Sequence, residues 1–166
     1  MAAPSTSQHK EKRFREVRSP EQEFDQKIID LARVTRVMAG GKRMRFRAAI
    51  VIGDHKGRVG FGLAKGADVS IAIGKAVRKA QKNMITIPIT KDGSIAHEIL
   101  HKEGAAKIML KPAKAGHGVK AGGAMRIVLE LVGIENITGK MLGSGNKVNN
   151  SRAMISALRT LKKAKK

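Results

Sequence analysis

The chain of 166 residues has no cysteine, tryptophan or tyrosine, and only four phenylalanines: Phe14, Phe24, Phe46 and Phe61. Without cysteine there are no disulfides, no thiolate zinc sites and no cysteine nucleophile. The lack of thiols fits a reducing compartment. Proteins that hold single strands stack bases on aromatic side chains, and four rings cannot build many such platforms. A nucleic-acid target would therefore be a structured backbone, met through its phosphates and helix geometry. Acid is scarce too. Against 34 Lys+Arg stand 13 Asp+Glu, a formal net charge of +21. That excess repels itself and calls for a polyanionic partner, nucleic acid before an anionic membrane. Apolar runs are short, such as Ala48 to Ile52, so no transmembrane span is expected. The first twenty residues lack the apolar stretch of a secretory signal. Neither GxSxG nor GxxxxGK[ST] occurs.

What is present suffices for a packed core: 42% of residues are apolar, enough for one ordinary domain or two small ones. Residues 1–18 read as a flexible basic tail. Ser19-Pro20-Glu21-Gln22 reads as a helix start, with Phe24, Ile28, Leu31 and Ala32 on one face. RVTRVM and MRFRAAIVIGD read as strands joined by a hairpin loop at Ala39-Gly40-Gly41-Lys42-Arg43. After the turn Asp54-His55-Lys56-Gly57, RVGFGLA is a third strand; Gly60 and Gly62 mark close approach by another backbone. A helix follows, capped at Asp68, with Val69, Ala72, Ile73, Ala76, Val77 and Ala80 inward. Lys75, Arg78, Lys79 and Lys82 occupy its other faces.

In the second half Ile85, Ile87 and Ile89 alternate as in a strand. Asp92-Gly93 signals a hairpin, which makes Ser94 to Leu100 the return strand. AKIMLKP is the next strand and KAGHGVKAGG a Gly/Lys loop. A helix spans roughly Gly123 to Val132, stopped by Gly133. ENITGKML is a further strand and GSGNKVNN a polar loop. SRAMISALRTL closes as a helix with Met154, Ile155, Leu158 and Leu161 inward, before the basic tail 162–166.

His97 to His101 reads HEILH, the H-E-x-x-H of zinc peptidases. It extends through Gly104 and fails where Lys107 stands in place of a third histidine. On a helix two such histidines lie about 6 Å apart along the axis and can share an ion. On a strand they lie about 13 Å apart and cannot. The Asp-Gly hairpin predicts a strand. The chain is thus expected to be no enzyme and to need no metal or cofactor; a zinc peptidase is the rival this stretch keeps in view.

Three basic stretches are candidate nucleic-acid contacts. Gly40, Gly41, Lys42, Arg43, Arg45 and Arg47 concentrate charge at a protruding hairpin tip. Phe46, on the alternate face, reads as core. Gly143 to Asn150 leads into a helix start, where free N–H groups favour a phosphate, with Ser144, Asn146, Lys147 and Asn149 as donors. Lys111 to Lys120 offers Lys114 and Lys120 around flexible glycines and His117. Arg36, Arg58 and Lys65 on the first half's strands and Arg152 on the last helix complete the set.

The stretch GKRMRFRAAIVIGDHKGRVGFGLAKGADVSIAI, Gly41 to Ile73, resembles the small-subunit ribosomal protein S-five family. KAGHGVKAGGAMRIVLELVGI and GSGNKVNN resemble that family's second domain. The likeness runs over about residues 24–161, with its motifs in order. It implies an α+β protein of two parts. Residues 19–84 would form a domain like a double-stranded-RNA-binding domain, α-β-β-β-α. Residues 85–161 would form a two-layer α/β domain, with a four-stranded sheet, two helices and a left-handed crossover. It also implies a structural, rRNA-binding constituent of the cytoplasmic ribosome's small subunit, beside proteins S-four and S-eight. There the family lines the mRNA entry path and influences decoding accuracy. The family's protruding loop maps onto Arg36 to Arg45, facing the rRNA helix where spectinomycin binds. The chain departs from the pattern at Lys147, where the family has proline, at Leu63-Ala64 in place of an aromatic, at Gly66 for alanine and at His117 in a Gly-Thr-Gly. A free-standing duplex-RNA or nucleoid binder is the rival without a ribosome.

Overall fold

The structure, a computed structural model, describes residues 24–161. The helix start at Ser19-Pro20 and the tails 1–18 and 162–166 lie outside the described residues. Two four-stranded sheets and three helices make an α+β fold. The first sheet has the order β1 (Asp25–Met38), β2 (Gly41–Gly53), β3 (Arg58–Gly66), β4 (Ile85–Thr86). α1 (Val69–Lys82) connects β3 to β4, and the sheet is antiparallel throughout. The second sheet draws on β5 (Ile99–Glu103), β6 (Ala106–Pro112), β7 (Val119–Lys120) and β8 (Ile137–Met141), in the order β5-β6-β8-β7, with α2 (Gly123–Val132) and α3 (Lys147–Arg159).

Three expectations are corrected. The helix expected through Phe24, Ile28, Leu31 and Ala32 is strand from Asp25 onward. A bulge between Ile28 and Asp30 shifts the phase of β1 by one residue. The alternation is broken there, and the apolar residues fall at helix-like intervals. The hairpin expected around Asp92-Gly93 is a turn without a ladder. Thr90 and Ser94 exchange backbone and hydroxyl hydrogen bonds, but Ile85 and Thr86 pair with β3 and the next strand begins only at Ile99. Finally, α3 starts at Lys147, inside the stretch read as a polar loop, because Asn146 caps it by accepting from the N–H of Val148 at 3.0 Å.

The layers follow from strand alternation. On one face of the first sheet Ala48, Ile50 and Ile52 pack on Ala72, Ala76 and Ala80 of α1. On the other face Ala49, Val51, Val59 and Phe61 enter a larger core. That core includes Met125, Val128 and Leu129 of α2, Met154 and Leu158 of α3, and Ile108 and Leu110 of β6. The stack therefore runs α1, first sheet, α2 and α3, second sheet.

The joint between the halves is a helix end. The last carbonyls of a helix have no partner within it. Leu129 O accepts from Gly133 and Ile134, and Glu130 O accepts from Gly133 and from Nδ1 of His55 at 2.8 Å. Leu131 O and Val132 O accept from the N–H groups of His55 and Gly57 in the β2–β3 turn, at 3.0 and 2.8 Å. The turn of one half is thus the C-cap of a helix in the other. Gly133 takes φ 89° there, and a Cβ on it would lie 2.2 Å from the carbonyl oxygen of His55. Lys27 on β1 adds an ion pair to Glu130 at 2.9 Å. Hydrogen bonds from Lys27 and then Arg126 hold the Glu130 carboxyl below its usual range.

Within the turn, the Asp54 side chain is 6% exposed. Burial alone would raise its pKa. The Arg58 guanidinium, donating at 2.6 Å, and the N–H groups of Lys56 and Arg58 outweigh burial and hold the carboxyl below its ordinary value. A folded-state pKa below the unfolded one contributes stability at neutral pH, which is lost as pH falls below about 4 toward the folded value. Asp54→Asn is expected to destabilise the protein by about 1–2 kcal/mol at pH 7. In urea denaturation the gap between the two proteins should narrow toward pH 3. A gap that stays constant with pH would contradict the ionic role of Asp54.

Candidate nucleic-acid interface

β1 and β2 run past the core as a two-stranded ribbon closed by a turn at Ala39-Gly40. From Thr35 to Arg45 every residue is exposed. Directly opposed residues of an antiparallel pair share a face. Arg36 lies opposite Arg43, Val34 opposite Arg45 and Ala32 opposite Arg47, while Arg47 lies opposite Lys65 of β3. Five of the expected site residues, Arg36, Arg43, Arg45, Arg47 and Lys65, thereby meet on one face. Four of them, with Val34 and Met38, line a shallow groove of about 270 Å³; Arg47 is not among its walls.

The register also separates residues that the sequence groups together. Lys42 lies opposite Val37, on the reverse face with Met44 and Phe46. Phe46 is half-buried against the α1 layer, as expected of a core residue. Arg47 donates to Asp30 at 2.9 Å and is half-buried. Arg58 is occupied by Asp54 and lies 5.1 Å from the ring centre of Phe24. These two arginines serve the fold first. Arg36, Arg43, Arg45 and Lys65 form no ion pair among the described residues. Neighbouring positions lie about 5–7 Å apart, so each pair of unit charges repels by up to about 1 kcal/mol in water. An anion along the groove relieves that repulsion.

The start of α3 is largely self-satisfied. Ser144 Oγ accepts from the N–H of Asn146, Asn146 Oδ1 caps the helix, and Asn150 donates to Ser144 O at 2.8 Å. Gly40 and Gly41 shape the ribbon's turn, with no side chain to contribute. Lys147 is exposed and Asn149 half-buried at the start of α3. Arg152 shares a small pocket with Asn149 beside the β5–β6 turn, and it also lines a groove of about 520 Å³ between α1 and α3, with Lys82 and Arg159. Lys114 and Lys120 are exposed in and beside β7, on the second sheet and apart from the ribbon.

His97 precedes β5 in a bend, and His101 lies within β5 with Nε2 3.0 Å from Ser156 Oγ. Glu98 pairs with Lys111 at 3.4 Å. The helical turn an HExxH zinc site requires does not form here, although the strand begins at Ile99 and not at Ser94. Among the described residues no group of three His, Asp or Glu side chains is placed to hold a metal ion.

Sequence reasoning missed Lys102, Lys107 and Lys140, which share the outer face of the second sheet. Lys107, Met109 and Lys111 alternate visibly in AKIMLKP, but their neighbours on β5 and β8 depend on a register no local pattern reveals.

Two family descriptions match the chain: Ribosomal protein S5, N-terminal domain, over residues 24–88, and Ribosomal protein S5, C-terminal domain, over residues 101–166. Among similar proteins, "Small ribosomal subunit protein uS5c" of Emiliania huxleyi is 49% identical over 140 residues, 84% of this chain and 88% of that one. "Small ribosomal subunit protein uS5" of Trichormus variabilis is 47% identical over 142 residues, 86% of this chain and 82% of that one.

Proposed function

The chain belongs to the ribosomal protein S5 family, and from that premise we propose that it is a structural, non-catalytic constituent of the small ribosomal subunit that binds rRNA. The observation that carries the binding mode is the ribbon face, where Arg36, Arg43, Arg45 and Lys65 meet without carboxylate partners. Cations so arranged neutralise phosphates of a folded RNA and release its counterions. They fix position, not sequence.

In this reading the two working parts are those expected at 19–84 and 85–161, with β4 (Ile85–Thr86) lent to the sheet of the first. Three antiparallel strands backed by α1 support a likeness of the first part to duplex-RNA-binding domains. Lys147 and Asn149 at the start of α3 and Lys114 in its loop supply further contacts. Proteins S-four and S-eight are the proposed neighbours, with the mRNA entry path nearby and decoding accuracy the property affected.

The test is co-sedimentation of the purified chain with small subunits stripped of this protein. Stoichiometric return at physiological salt, with preference for small-subunit rRNA over a generic duplex of equal length, is the expected result. Equal affinity for any duplex would instead favour a free-standing duplex-RNA binder.

A further inference from the structure

Only one face of the second sheet meets α2 and α3. Ile99, Ile108, Leu110 and Ile137 point inward and are buried, and His101 reaches Ser156 of α3. The register fixes what the other face carries. Leu100 lies opposite Met109, which lies opposite Lys140; Lys102 lies opposite Lys107; Lys111 and Lys120 both flank Thr138. Leu100, on the edge strand β5, is 58% exposed. Of the five lysines only Lys111 has an ion-pair partner among the described residues, Glu98 at 3.4 Å.

We propose that this open face is a second RNA contact, holding the phosphodiester backbone of an rRNA segment other than the one on the ribbon. The proposal rests on the rRNA-binding reading above and adds a site to it. Like charges directly opposed on neighbouring strands destabilise a sheet, and Lys102 against Lys107 is such a pair. A polyanion removes that cost. Cores of protein interfaces are depleted of lysine and enriched in aromatics and arginine; this face has five lysines and neither of those. Lysine serves phosphate as a point charge without bidentate geometry. Along β7 and β8 the face deepens into a groove of about 620 Å³ lined by Lys120, Thr138 and Lys140. Leu100 and Met109 offer apolar contact to sugars between phosphates. The α2 and α3 layer separates this face from the first sheet, which carries the ribbon, so the two surfaces grip different RNA segments.

The test uses the full chain and naked small-subunit rRNA. Lys102→Gln, Lys107→Gln and Lys140→Gln are combined, with the triple Lys→Arg variant as a charge-preserving partner. All three side chains are exposed, so both variants should fold, as circular dichroism can verify. Each lost phosphate contact lowers the slope of log affinity against log salt by about 0.7–0.9. The glutamine variant should therefore lose about two units of slope, and the arginine variant none. A glutamine variant with the wild-type slope overturns the proposal. If it matches wild type on naked rRNA but is lost from assembled subunits, a protein occupies the face and the proposal also fails. A ribbon variant serves as reference: if it too keeps the wild-type slope, the rRNA-binding reading itself is what failed.

Discussion

Replacing Gly62 by valine is expected to destabilise the protein by at least about 3 kcal/mol, enough to unfold much of it at 37 °C. A Cβ at this position would lie 1.9 Å from the carbonyl oxygen of Ala76 and 2.8 Å from the amide nitrogen of Ala80. Both are backbone atoms of α1, so no rotamer change relieves the contact. Either the helix lifts from β3 or the strand distorts. Lifting α1 uncovers Ala48, Ile50 and Ile52, which are essentially solvent-free. Gly62→Ala should already be strongly destabilising. Ala76→Gly should not rescue it, because the obstacle is the carbonyl and not the methyl group. Gly74, on the outer side of the same helix, meets nothing within 4 Å; alanine there should stabilise by about 0.5–1 kcal/mol. Urea denaturation of the set checks the argument. A near-neutral Gly62→Val would refute this packing of helix on strand.

The second large effect concerns binding. Changing Arg36, Arg43 and Arg45 together to glutamine should weaken rRNA binding on the order of tenfold to a hundredfold near 0.15 M salt. It should also reduce the salt slope by about two to three units. Stability should hardly move, since none of the three has an ion-pair partner among the described residues. Arg47→Gln should behave in the opposite way. It breaks the half-buried pair with Asp30, so its main cost is folding stability, with a smaller change in salt slope. Filter binding over a salt series, beside thermal melts, separates the two classes. If Arg47→Gln proves the more damaging to binding, the division of labour on this face is wrong.

How far the sequence carries depends on whether the signal is local. Gly123–Val132 is legible to its ends because an apolar run meets a glycine that must take positive φ. AKIMLKP is likewise legible, its alternation unbroken from Ala106 to Lys111. β1 is misread because one bulged residue near Ile29 converts a strand's period into intervals that imitate a helix. The Asp92-Gly93 turn forms as its residues require, but Ile87 and Ile95 beside it are buried by core packing and not paired across a ladder. The start of α3 hides behind Asn150 and Ser151, polar residues that are buried all the same. Asn150 is held there by its bond to Ser144, six residues back. At the site, a basic hairpin tip is visible in GGKRMRFR, but which cations share a face is settled by pairing across strands. Register gathers Lys65 with Arg43 and Arg45 and turns Lys42 away. It also builds the lysine face of the second sheet from four strands.

The core shared between the halves has a consequence for the chain's birth. Ala49, Val51, Val59 and Phe61 are covered by helices that begin only at residues 123 and 147. At ordinary synthesis rates roughly 90 further residues take on the order of ten seconds. For that interval the nascent first sheet presents an oily flank and an uncapped turn to the crowded space outside the tunnel. A chaperone that shields hydrophobic nascent segments has its window there, and it should close abruptly once Leu158 emerges.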